Sequence, residues 1–165
     1  MIKPAPLTSN ASTPQRAAPR PPRTARRRAR EYALQGVYQW LVGGSDGTAV
    51  EGDLIEREGL KDLEKKSDIV HLREVMHGAI ERAADLRAEF APFLDRPVVE
   101  LSPIEHACLL IGTYELKFRA EIPYRVVINE AVELTKSFGG TEGYKYVNGV
   151  LDKVASKLRP EAARS

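Results

Sequence analysis

The tightest local constraint in this chain is the run Ser102-Pro103-Ile104-Glu105. It combines a serine able to accept from an orphan backbone N–H, a proline at the first helical position and a glutamate at the capping-box position. Such a start commits the apolar residues behind it to a helix, predicted over Pro103 to about Phe118. Pro123 opens a second helix whose Val127, Ala131, Leu134 and Phe138 form a one-sided stripe ended by Gly139-Gly140. Thr141 is positioned to cap a third, with Val147, Val150, Leu151, Val154 and Leu158 on its buried face and Pro160 beyond its end. Three consecutive helices, each with one apolar face, must pack on one another.

Earlier segments carry the same period. From Thr24, Ala29, Ala33, Gly36, Val37 and Trp40 share a face up to Gly43-Gly44. Residues 45 to 66 are more polar, with a short helix predicted over Val50 to Glu58, and a single long helix is predicted from Ser67 to Phe90. No alternating strand pattern of useful length competes. The expectation is an all-α fold, and the helix count allows two small bundles side by side.

Charge is unevenly placed. The first 30 residues hold eight basic groups (Lys3, Arg16, Arg20, Arg23, Arg26, Arg27, Arg28, Arg30) and no acid, a net +8, whereas the rest of the chain is −6. Six of the eleven prolines fall between Pro4 and Pro22, so residues 1 to 23 read as a disordered basic tail ahead of a helical domain at 24 to 160. An acid-free arm also fits an organelle transit peptide, but the proline density argues against an import helix. A basic arm on an acidic body takes a polyanion as its partner.

The search for catalytic chemistry is mostly negative. Cys108 is alone in the chain and sits in an apolar run, which suits packing in a reducing compartment. His71 and His77, six apart, do not present together as ligands and read as ordinary surface or boundary residues. The two Gly-Gly pairs match no phosphate-binding loop, and Glu130 with Glu133 reads as a solvated helix face. No cofactor or metal is expected, and the longest apolar stretches, such as Ala107 to Ile111, fall far short of a membrane span, so a soluble protein is expected.

Two surfaces remain. Arg26, Arg27, Arg28 and Arg30 run into a helix that carries Tyr38 off its core face, which pairs guanidiniums for phosphates with a ring on which an unstacked base can lie. A solvated basic helix end with Tyr38 as boundary packing accounts for the same residues. Lys136, Tyr144, Lys145 and Tyr146 cluster around the second glycine break. Aromatics interleaved with lysines suit single-stranded RNA; the alternative is that Tyr146 fills the edge of the core.

Three segments carry a resemblance: ARRRAREYALQGVYQW at 25 to 40, LSPIEHACLLIGTYEL at 101 to 116 and IPYRVVINEAVELTKSFGGTEGYKYVNGVLDKVASKLRP at 122 to 160. They resemble, in collinear order, the NusB family of bacterial transcription antitermination factors. The resemblance implies two packed three-helix bundles and no catalytic activity. It implies binding to the boxA element of nascent, single-stranded RNA together with NusE, also a small-subunit ribosomal protein. The assembly would form on RNA polymerase with other Nus factors, in the bacterial cytoplasm, and suppress termination during ribosomal RNA transcription. Matched by motif, Arg26, Arg27, Arg28, Arg30, Tyr38, Glu142, Lys145 and Tyr146 would belong to the RNA surface, and Glu105 and His106 to the partner surface. Ribosomal RNA maturation, or RNA targeting for a modifying enzyme, are the alternative roles. Monomer and homodimer both stay open, and a dimer that buried the arginine helix would be autoinhibited.

Departures from the pattern are Leu110, where many members carry Arg, and Thr135, where Ala is common. Asn129 and Asn148 stand mid-helix, where a short amide is unfavourable, and a cross-helix hydrogen bond is expected to explain them.

Overall fold

The structure is a computed structural model and describes residues 24–60, 63, 65–139 and 142–163; the predicted tail at 1 to 23 and the Thr141 cap lie outside them. The described residues form helices joined by turns, with no strand among them. Helix α1 spans Ala25–Gly43, and the Thr24 hydroxyl accepts from Arg27 N at 3.1 Å. It ends at Gly44 in the left-handed region, φ 69°, a conformation that glycine adopts without Cβ strain. Helix α2, Gly47–Glu58, starts a few residues before the predicted Val50 because Asp46 caps it, accepting from Ala49 N at 2.8 Å.

The long helix predicted from Ser67 is two: α3, Lys66–Glu81, and α4, Ala83–Phe90. The chain turns at Arg82 (φ −104°, ψ 17°), with no proline or glycine there to announce it. Tertiary packing supplies the reason: α3 lies along α1, whereas α4 turns onto helices α5, Pro103–Phe118, and α7, Gly143–Leu158. Helix α6 is Tyr124–Phe138, and a last turn, α8, is Pro160–Ala163.

The expected two bundles are present. Helices α1, α2 and α3 form one and α5, α6 and α7 the other, joined where α1 packs on α5 around a continuous core. Helix α5 is the shared centre, buried without interruption from Ala107 to Thr113. Two contacts set how closely its neighbours approach. A methyl group on Gly78 of α3 would lie 2.1 Å from the Tyr114 ring, and one on Gly112 would lie 2.7 Å from Leu151 of α7. Cys108 is fully buried on this helix, and burial pushes its thiol pKa up to about 12. The Ser102 hydroxyl accepts from Glu105 N at 3.2 Å, as the motif requires.

The far end of α5 is held by a residue to which the sequence reading gave no role. Arg159 is buried, and its guanidinium donates to the carbonyls of Leu116 (2.7 Å), Ile122 (2.9 Å), Arg119 (3.0 Å) and Glu115 (3.3 Å). One planar fork thus gathers carbonyls at and just beyond the end of α5, where Glu115 O and Arg119 O also accept from Arg119 N and Ile122 N. Thr135 is explained similarly: its buried hydroxyl donates to Ala131 O at 2.8 Å.

Candidate nucleic-acid interface

The arginine-rich start of α1 is not a row of free guanidiniums. Arg30 points inward and meets Glu115 at two points, both 2.9 Å, with the two side chains 5% and 2% exposed. Its expected place on an RNA surface is therefore corrected: the α1 periodicity turns it onto α5, where it neutralises a buried carboxylate. Arg26 donates from Nε to Asp68 at 3.0 Å and from Nη1 towards His71 Nδ1 at 3.2 Å. His71 is 1% exposed, so it is a core residue rather than the surface or boundary histidine expected. Because a guanidinium has only donors, His71 Nδ1 accepts, and the ring proton sits on Nε2, 3.6 Å from Glu115 Oε2. Burial first, and then the nearby Arg30 and Arg26 charges, lower its pKa to about 3, so the ring is neutral.

Arg27 forms a second two-point pair, from Nε and Nη2 to Glu130 of α6, both at 3.0 Å. The hydrogen bond to Glu130 holds the Arg27 pKa above its ordinary value despite partial burial. Glu130 is thus an inter-helix tie, not a solvated face. Arg28 is half-buried on the same turn.

Tyr38, 39% exposed, lies in a groove of about 440 Å³ with Leu34, Val42, Ile104 and Phe138. Phe138, predicted on the buried stripe, is half out of the core at the open end of α6. The groove rim carries Asp53, which accepts from Gln39 and Arg57, each at 3.0 Å.

The second predicted surface divides between two flanks of α7. Tyr144 lies between Lys136, whose Nζ is 4.9 Å from the ring centroid, and Lys145 at 5.9 Å, and Lys145 also pairs with Glu142 at 3.1 Å. Tyr146 is elsewhere: Arg96 stacks on its ring at 4.4 Å, and its hydroxyl accepts from Asp95 N at 3.3 Å. Arg96 was missed because its loop has no periodicity to place it; the only signal was the basic residue before Pro97.

Glu105 and His106 are half-buried. His106 Nε2 accepts from Arg87 at 3.0 Å, its ring meets Phe90 edge-on, and burial with the Arg87 charge lowers its pKa to about 4. Leu110, the departure from the pattern, is fully buried, so that position faces the core. Asn129 and Asn148 are exposed and do not bond to each other; the expected cross-helix bond is corrected, because both amides face an open groove between α6 and α7. Among the described residues no helix is long and apolar enough to cross a membrane, and no cluster of His, Cys, Asp and Glu could hold a metal.

Comparison with known proteins places this arrangement. The NusB family model matches residues 27–156. The transcription antitermination protein NusB of Ralstonia nicotianae is 58% identical over 139 residues, covering 84% of this chain and 87% of the relative. That of Cupriavidus pinatubonensis is 54% identical over 157 residues, covering 95% and 90%. Among solved structures, T. maritima NusB matches with a TM-score of 0.74 at 26% identity, over 87% of this chain and 99% of that one. A crystal structure of the antitermination factors NusB and NusE in complex with dsRNA matches with a TM-score of 0.72 at 21% identity, over 81% and 97%.

Proposed function

From the premise that the chain belongs to the NusB family, we propose that it is a transcription antitermination factor: a non-catalytic cytoplasmic adaptor that binds boxA-type RNA jointly with the ribosomal protein NusE. The observation that carries this reading is collinear identity above half with NusB proteins of Ralstonia and Cupriavidus, through both halves of the fold. The geometry supplies a mechanism. RNA affinity comes mainly from phosphate neutralisation, and unstacked bases lie on aromatic rings. Lys136 and Lys145 flank Tyr144, Arg96 covers Tyr146, and Arg28 stands on the first turn of α1. These groups are the phosphate and base contacts of the proposal, together with Tyr38 in its own apolar groove. Arg26 and Arg27 hold α1 in place and give up carboxylate partners if they also meet phosphates. Glu105 and His106 belong to the surface that receives NusE, which enlarges the RNA site when bound.

Fluorescence anisotropy with a boxA RNA, with and without NusE, tests the reading. Affinity should rise when NusE is present. If about four phosphates are contacted, log K should fall with log salt at a slope of roughly −3, since single strands give about −0.7 per phosphate. A slope near zero, or no effect of NusE, counts against it.

A further inference from the structure

The groove between α6 and α7 has a composition that packing does not explain. It is an open groove of about 570 Å³. Its lining includes the apolar Ile128 and Val132 and the rings of Tyr124 and Tyr144. Asn129 from α6 and Asn148 from α7 both line it, and both are exposed. Exposed asparagines are solvated in the free protein, and two of them lining one groove offer an incoming group a pair of amides in place of that water. Each amide offers both a donor and an acceptor, which is what the polar edge of a nucleobase requires.

Charge is arranged to suit. Arg125 and Lys145 are exposed on the groove rim, where they can meet a phosphate, while Asp152 lies in the same groove and repels one. A base would therefore enter with its backbone towards Arg125 and Lys145. The groove is also separate from Tyr146. Asn148 is two residues further along α7, about 200° around the helix, so the two lie on opposite flanks of its buried stripe.

We propose that this groove is a pocket for one unstacked base of bound RNA, with the base lying against Tyr144 or Tyr124 and its edge read by Asn129 and Asn148. The inference rests on the RNA-binding reading above and assigns one step of recognition to residues outside the arginine helix.

An abasic scan of full-length protein tests it. A fluorescein-labelled boxA RNA and a series lacking one base at a time are titrated into wild type and into N129A/N148A/Y144A, with NusE present. One missing base should cost wild type on the order of tenfold in affinity, and the same deletion should cost the triple variant nothing. Tyr144→Phe, which keeps the ring, should retain the wild-type profile, and matching urea midpoints show that the variants are folded. If wild type binds RNA and the triple variant gives the same abasic profile, the groove holds no base. If the triple variant instead loses NusE binding with an unchanged profile, the groove is a protein-docking face and the inference falls. If wild type fails to bind RNA at all, the inference falls together with the function on which it rests.

Discussion

Arg30 and Glu115 meet at two points, both 2.9 Å, in the joint between the two helical bundles. The pair locks α1 to the central helix α5, and Arg159 holds the Glu115 carbonyl from the other side at 3.3 Å. One residue of α5 is thus tied by its side chain to the first bundle and by its backbone to the end of α7.

Removing one partner of a buried pair leaves an unpaired charge at a cost of about 3–5 kcal/mol. Arg30→Ala and Glu115→Ala are each expected to destabilise the fold by that order in urea titrations. A paired apolar replacement, Arg30→Met with Glu115→Leu, should cost less than either single change. A double loss equal to the sum of the two single losses would show that the pair is not coupled.

Acid should weaken the fold through His71. Its folded pKa, about 3, lies below the ordinary 6.5, so between those values the unfolded chain binds a proton that the folded chain refuses. Stability is therefore complete above about pH 6.5 and is lost as pH falls towards 3, at up to about 1.4 kcal/mol per unit for one such group. His106, at about 4, adds in the same direction over a narrower window. Urea midpoints between pH 7 and pH 4.5 should fall more steeply for wild type than for His71→Asn.

Glu130 is expected to restrain RNA binding. Glu130→Gln releases Arg27 from its two-point pair, and the freed guanidinium can turn to a phosphate. The partly exposed pair contributes about 1 kcal/mol or less to stability. RNA affinity should rise, and the salt slope should steepen by about 0.7. An unchanged slope would place Arg27 outside the RNA surface.

Deleting residues 1 to 22 removes Lys3, Arg16 and Arg20. We propose that these charges act on any RNA alike, so the deletion should weaken binding modestly and flatten its salt dependence, with boxA preference intact. Competition between boxA and scrambled RNA measures this. Loss of preference would place specificity in the arm.

The helices were legible because their causes are local. The Ser102 cap, the stripe on α6 and the left-handed Gly44 follow from residues within a few positions of one another. The division of α3 from α4 was not legible, since nothing near Arg82 encodes it and only packing on α5 and α7 selects it.

At the candidate interface the limits are sharper. A run of arginines in sequence predicts a basic surface, but the sequence cannot say which carboxylate each one meets 42, 85 or 103 residues away. By itself it determined the helical class, the helix ends and the two groups of basic and aromatic residues, because periodicity, capping and charge are properties of short segments. Only the tertiary structure decided that Arg30 is core, that Arg27 is tied to Glu130, and that Asn129 and Asn148 share one open groove. Burial and pairing depend on which faces the packed helices turn towards each other.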